Sequence, residues 1–538
     1  MKKVIYQLLP RLFGNSSGIN KVNGSIEDNG CGKFNDINDK ALVEIKKLGV
    51  TDIWLTGIVR HATTTNYSSY GIKCNNPLIV KGRAGSPYAV TDFYDVDPDL
   101  AVDVDSRMVE FEDLVKRIHQ KGMKVIIDLV ANHVSREYDA TSLGGNLGAN
   151  DNVNMFFHKD NAYYYMQGQT FGIPHRAYEK VTNFCNDVMP YDEYPARVTG
   201  DDAMVPNPSF YSWYDTVKLN YGIDISDGSR HFNPIPEMWY TMRDVMLFWL
   251  SKKIDGFRCD MAEMVPVEFW EWCINEVKSR YPNTFFIAEI YQPELYYDYI
   301  DIARFDYLYD KIDLYDTLRA IVKGHSRVED ITRCWQHTMM CNNRMLRFLE
   351  NHDEERIASD NFAGDPLKAI PAFAVAAFMH QGPVMLYNGQ ELGEKSEDTE
   401  GFGSYNGKTS IFDYWCLDTQ RRWINGGNFS DEHLTDKEKQ LREKYREILN
   451  FAISNAEIAN GDFYDLMWIN TYLINLNCYA FLRNIGSRYI VFVMNFNPDP
   501  VSVNIVLSEH VRDFLGLKAE EDIIVHCDVD GYGWKACK

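Results

Sequence analysis

Four apolar stretches of this chain end in side chains that can do acid–base or nucleophilic work. One reads Asp128-Leu-Val-Ala-Asn132-His133 and another Gly256-Phe-Arg258-Cys-Asp260. A third ends in Ala288-Glu289 and a fourth in Asn351-His352-Asp353. Gathering carboxylates in one place raises each other's pKa, so the arrangement needs a purpose. Arg258, two residues before Asp260, supplies a cation that would hold it ionised. Cleaving an acetal takes an acid for the leaving oxygen and a carboxylate for the cationic carbon. In a retaining reaction the two stand about 5–5.5 Å apart. Neighbouring strands are about 4.8 Å apart, so Asp260 and Glu289 fit if their stretches pair. Asp, the shorter side chain, suits the nucleophile, and Glu suits the acid. Asp353 would face them from across the site.

Such residues need a scaffold. Residues 4–13, 52–58, 124–130, 254–260, 285–290, 305–308, 345–349 and 384–387 are rich in β-branched and aromatic types and read as strands. Residues 39–48, 106–120, 236–251 and 266–280 have helical spacing, the first two ending before Gly49 and Gly122. Alternation of strand and helix means parallel pairing through crossover helices. Eight such strands predict a closed (β/α)8 TIM barrel, whose chemistry gathers where strands end. A doubly wound sheet is the alternative, but no Gly-x-Gly-x-x-Gly comes after the first strand.

The third strand leads into a long stretch rich in Gly, Asn, Asp, Tyr and Pro. Structureless connections of that length are uncommon, so it is read as a small inserted domain. The expected division is barrel, first part, 1–133; inserted domain 134–215; barrel, second part, 216–456; and a C-terminal β domain, 457–538. A final barrel helix is expected over 435–454. Beyond it, 472–476, 478–481, 489–496 and 501–506 read as strands of an all-β sandwich.

Composition narrows the partners. The 538 residues exceed one compact core and imply several units. The net charge of -22 disfavours nucleic acid and anionic membranes, leaving a neutral ligand. The 14% aromatic content suits stacking on sugar faces. Eleven scattered Cys include no Cys-x-x-Cys pair, which argues for reduced thiols and against zinc. No run of about 18 apolar residues occurs. Met1-Lys2-Lys3 resembles the start of a signal peptide, but Gln7, Pro10 and Arg11 interrupt the apolar run after it. The expectation is a cytoplasmic protein. Oligomeric state is left open.

The four motifs, in this order, resemble the signature regions of the α-amylase family of glycoside hydrolases. Val217-Lys218-Leu219-Asn220 resembles that family's extra region near the end of the insertion. Ser86-Pro-Tyr88-Ala-Val-Thr-Asp92-Phe-Tyr94 resembles the loop that supplies a tyrosine platform. The resemblance covers nearly the whole chain. It implies Asp260 as nucleophile, Glu289 as general acid/base, and Asp353 as the carboxylate that binds sugar hydroxyls. It implies that Arg258 keeps the nucleophile charged, that His133 and His352 bind sugar hydroxyls, and that Tyr88 stacks under the sugar. Asp128 becomes a structural acid under the site. Asn132 orients its loop or ligates calcium, which leaves calcium open; no cofactor is required for the chemistry. Trp213, Tyr214 and Trp239 are candidates for outer sugar subsites or for core packing.

Three departures from the family pattern bear on substrate. The Lys-His pair that many members carry after the nucleophile is Met261-Ala-Glu263-Met264 here. That departs from the family's usual leaving-side contacts and leaves one backbone calcium ligand open. The residue after Tyr88 is Ala89, not the Asp of exo-glucosidases, yet Arg356 resembles that Asp's partner and is counted among the substrate-binding residues. The segment 20–36 is Gly- and Asn-rich but lacks alternating acidic ligands. The expected function is retaining hydrolysis of α-1,4-glucosidic bonds in malto-oligosaccharides or starch. The alternatives are a transglycosylase or glucan-rearranging enzyme, with maltosyl or glucosyl transfer or trehalose-synthase-like isomerisation, and a non-catalytic carbohydrate-binding barrel. The last should have lost a carboxylate, and none is missing.

Overall fold

Val4–Leu8 is buried at all five positions, as expected of a strand with both faces covered. It stops two residues before Pro10, which opens a short helix, Pro10–Phe13. Proline lacks the N–H a strand needs and has the φ a first helical turn needs. The expectation of one strand over 4–13 is corrected accordingly. In this computed structural model, which describes residues 1–143, 145–396, 402, 406–518 and 521–538, Val4–Leu8 begins an eight-stranded parallel sheet.

The other strands are Asp52–Leu55, Lys124–Val130, Gly256–Asp260, Phe285–Ala288, Tyr307–Tyr309, Met345–Leu346 and Val384–Tyr387. They pair in chain order as far as Met345–Leu346, and Val4–Leu8 also pairs with Val384–Tyr387. A parallel bridge from Arg347 to Val384 joins strand seven to strand eight and closes the ring. The fold is therefore a (β/α)8 barrel.

Crossover helices form where amphipathic spacing lays one face on the strands. Asp39–Lys47 starts at Asn38, whose side chain accepts from the Ala41 N–H, and ends before Gly49 at φ 95°. Arg107–Gln120, Glu237–Ser251 and Val267–Arg280 bury an apolar face in the same way. Asp436–Ser454 opens on a capping box between Thr435 and Glu438.

The chain leaves the barrel after strand three through His133–Ser135 and returns through Thr216–Lys218, which pairs with it antiparallel. Between them lie a helix, His175–Thr182, and a two-residue pairing of Tyr165–Met166 with Ala196–Arg197. Tyr164, Met166, Phe171, Val198 and Tyr214 form a small core of their own.

The C-terminal region is β-sheet, with short helices that alternation does not predict, the first being Ala456–Asn460. Asp462–Asp465, Cys478–Ile485, Arg488–Asn495 and Gly533–Cys537 make one antiparallel sheet, and Val501–Leu507 with Ile523–Val529 makes a second. The expected strand over 472–476 is a helix, Tyr472–Asn475. A short apolar run carries no period that separates the two states. A further helix is Glu509–Leu515. Among the described residues no helix is long and apolar enough to cross a membrane.

Candidate active site

Alternation along strand four sends Phe257 and Cys259 into the packing against the helices, and Arg258 and Asp260 into the barrel. Arg258 is fully buried. One guanidinium nitrogen donates to Asp260 Oδ1 at 2.8 Å and to Asp128 Oδ1 at 3.3 Å. The other lies 2.8 Å from Glu289 Oε2. Strand register explains this meeting, since Cys259 stands beside Ala288 and Arg258 beside Asp128. Arg258 thus lies fully buried behind three carboxylates and pairs with each of them.

The oxygens of the two central carboxylates differ. Asp260 Oδ1 is taken by Arg258, while the buried Oδ2 has no hydrogen-bond partner and lies 4.0 Å from His133 Nε2. Burial pushes the Asp260 carboxyl well above the usual carboxylate range. Arg258 opposes that, and the charges of Glu289 and Asp128 reinforce it. Glu289 Oε2 accepts from the Met261 backbone N–H at 2.8 Å, leaving Oε1 against the Tyr291 hydroxyl at 2.6 Å. Met261 adopts φ 44°, the left-handed region that a side chain enters at a cost of about 1–3 kcal/mol. Sequence reasoning misses Tyr291. It is two residues beyond the acid, and its loop is held by Glu263, whose Oε2 accepts from the Tyr291 and Gln292 N–H groups at 2.8 and 3.0 Å. Tyr291→Phe should lower kcat/KM about tenfold with the fold intact, the cost of one hydrogen bond to a carboxyl group. Steady-state kinetics alongside circular dichroism would check it, and unchanged kcat/KM would remove Tyr291 from the machinery.

Asp353 is the most open of the three acids, its side chain 42% exposed against 8% for Asp260 and 3% for Glu289. Burial opposes its ionisation, but His352, Arg258 and Lys408 outweigh it and hold the carboxyl down at about 2. Asn351 shapes this loop by accepting from the Asp353 and Glu354 N–H groups at 2.8 and 3.0 Å, an Asx turn. The flanking acids leave the site: Glu354 meets Tyr315 and Lys311, and Glu355 pairs with Arg319.

His352 is buried, its Nε2 3.0 Å from Asp353 Oδ2 and within hydrogen-bond reach of the Tyr88 hydroxyl. The Tyr88 ring stacks on it at 5.2 Å and 26°. His133 is held neutral. Burial, then Lys218 and Lys81, lower its pKa to about 3. The Asn132 amide donates to His133 Nδ1 at 3.1 Å, which puts the ring proton on Nε2. Asp128 Oδ2 accepts from Trp54 Nε1 and the Gly57 N–H, so this acid braces the floor.

A cavity of about 320 Å³ opens over these groups. Tyr88, His133, Asp260, Glu289 and Asp353 line it, together with Lys81, Trp213, Asp215, Tyr291 and Phe412. Lys81 pairs with Asp215 at 3.0 Å on the rim. Trp213 therefore reaches the cavity, whereas Tyr214 and Trp239 are buried in the two cores. Arg356 is not among the lining residues. It is fully buried, bonded to Glu350, Thr409 and the Asn388 carbonyl, and packed over the Tyr387 ring. Nothing in a three-residue spacing from Asp353 says which way the loop turns.

Asn132 Oδ1, the atom expected to face a cation, accepts from Lys218 Nζ. Among the described residues no cluster of three or more His, Cys, Asp or Glu is arranged to hold a metal.

Known proteins resemble this chain in sequence and fold. The family model "Alpha amylase, catalytic domain" matches residues 7–193 and 232–450. Alpha-amylase 3 of Dictyoglomus thermophilum is 21% identical over 481 residues, covering 85% of this chain and 78% of the relative. A cyclomaltodextrin glucanotransferase of Geobacillus stearothermophilus is 22% identical over 482 residues, 81% of this chain and 58% of that protein's length. Among solved structures, the debranching enzyme of Nostoc punctiforme superposes with a TM-score of 0.64 at 16% identity, covering 99% of this chain and 97% of the other. With three-quarters of its length inside the family model and its acids on strand ends four, five and seven, the chain belongs to the α-amylase family of glycoside hydrolases.

Proposed function

We propose that the protein is a retaining α-glucan hydrolase cleaving α-1,4-glucosidic bonds of malto-oligosaccharides or starch. The observation that carries this reading is the unequal treatment of the two central carboxyls: Asp260 keeps a free, buried oxygen, while Glu289 has its Oε1 poised against Tyr291. Asp260 Oδ2 attacks the anomeric carbon as the Glu289 carboxyl gives a proton to the departing glycosidic oxygen. A glycosyl ester on Asp260 results. Glu289 then takes a proton from water, whose oxygen attacks the same carbon and releases the Asp260 carboxylate. Asp353, ionised across normal pH, accepts from sugar hydroxyls and faces the positive charge that develops on the ring. His133 donates from Nε2, and Tyr88 offers its ring beneath the sugar. No step requires a metal.

The same intermediate supports transfer to a sugar hydroxyl, and one observation favours that second reading. The leaving side beside Glu289 carries Met261 and Tyr291, an apolar and aromatic surface suited to a second sugar. The relative from Geobacillus stearothermophilus is named a glucanotransferase. Maltotriose separates the two. Hydrolysis gives only glucose and maltose, with the α-anomer formed first by NMR, whereas products longer than maltotriose would make transfer the main activity. A first-formed β-anomer would overturn the retaining mechanism itself. The scattered cysteines, with no Cys-x-x-Cys pair, support a reducing compartment such as the cytoplasm, and the net charge of -22 supports a neutral glucan as partner.

A further inference from the structure

Calcium is the one metal this fold family leads one to expect beside Asn132. The atoms around that side chain fit a different cation. Lys218 lies in the strand that returns from the inserted domain, directly opposite His133 in the ladder. Its side chain is 6% exposed. An ammonium has three donors and no acceptor. Three oxygens receive it: Asn132 Oδ1 at the end of strand three, Asp202 Oδ1 in the inserted domain at 2.8 Å, and the Met264 carbonyl beyond the nucleophile at 3.1 Å. A calcium ion would need six to eight oxygens at about 2.3–2.6 Å around the point this nitrogen holds.

We propose that the Lys218 ammonium is the resident cation of this junction, tying the inserted domain to the barrel in place of a bound metal and setting His133 through Asn132. The linkage is directional. With Oδ1 on the ammonium, the Asn132 amide nitrogen points at the Gly200 carbonyl, 2.8 Å away, and at His133 Nδ1. Gly200 leaves the room this needs, because a Cβ there would sit 3.0 Å from the His133 Cβ and 2.4 Å from Thr216 Oγ1. A charge on the returning strand thereby fixes which nitrogen of a cavity histidine carries its proton. Lys218 is a positioning residue and touches no substrate.

The test is thermal unfolding of the full chain in chelator and in millimolar calcium, for wild type, Lys218→Met and Lys218→Asp. Wild type should melt at the same temperature in both. Lys218→Met should melt several degrees lower, lose about tenfold in kcat/KM, and gain nothing from calcium. Lys218→Asp adds a carboxylate to the oxygens of Asn132, Asp202 and Met264. It should bind calcium in titration calorimetry and recover melting temperature only with the metal. A purely structural lysine would not convert to a calcium response in this way. The proposal is overturned if Lys218→Met melts like wild type. It is also overturned if wild type melts lower in chelator, recovers with calcium, and loses that response in Lys218→Met. Both readouts are independent of which glucan the enzyme cleaves, so they stand apart from the proposed activity.

Discussion

Asp260→Asn should lose at least about 10⁴-fold in kcat and yet unfold at a higher temperature than the wild type. The loss follows from Oδ2, the one central carboxylate oxygen with no partner, whose amide replacement cannot form the ester. The gain follows from proton linkage. The folded-state pKa of Asp260 lies above that of an exposed aspartate, because burial outweighs the help from Arg258. A raised carboxyl contributes stability below its unfolded value, about 4, and that contribution is lost as pH rises through the folded value. Once ionised, the group is therefore a burden on the fold, and asparagine removes it. Calorimetry of both proteins from pH 4 to 8 should show the difference in midpoint growing with pH. A variant that turns over normally, or that melts lower at neutral pH, would refute the assignment of Asp260.

Arg258→Met should be the single change most damaging to the fold. It strips one guanidinium from Asp128, Asp260 and Glu289, all within 3.3 Å of it. Removing one partner of a buried ion pair costs about 3–5 kcal/mol, and three partners are stranded here. A loss of at least about 10³-fold in kcat should accompany a clear fall in melting temperature. The acid limb of the rate profile should move upward, since Asp260 loses the charge that opposes its burial. Joining the change to Asp260→Asn should cost less stability than the two single effects predict, because the double variant strands one carboxylate fewer. Additive losses would mean that Arg258 acts elsewhere.

The barrel and its acids are readable in the sequence because both rest on strong local patterns. A buried parallel strand is a continuous apolar run, and an ionisable residue closing such a run is conspicuous. Asp260 and Glu289 meet because adjacent strands are in register, which strand order implies. Residues on loops are harder. Arg356 stands three positions after Asp353, as a substrate contact would, but the loop turns it beneath Tyr387 and Glu350. Tyr291 and Lys81 reach the cavity from loops whose course no periodicity specifies. Lys218 could be read as one more surface lysine. Its burial depends on Asn132, Asp202 and Met264 arriving from three distant parts of the chain. Residues 472–476 differ for the opposite reason, since Tyr472-Leu-Ile-Asn-Leu476 is too short for its apolar positions to separate the two periods.

Met261 has a bearing on how such a site changes over generations. Its gift to the acid is a main-chain N–H, and every residue except proline offers the same one. The side chain at 261 is thus uncoupled from that task, while it lines the pocket beside Glu289. Mutation can redraw the face presented to an incoming sugar or water without disturbing the proton donor beneath it. The limit is set by backbone shape, because β-branched residues tolerate φ 44° poorly. Preference for one acceptor over another can drift at this position while the chemistry is inherited unchanged.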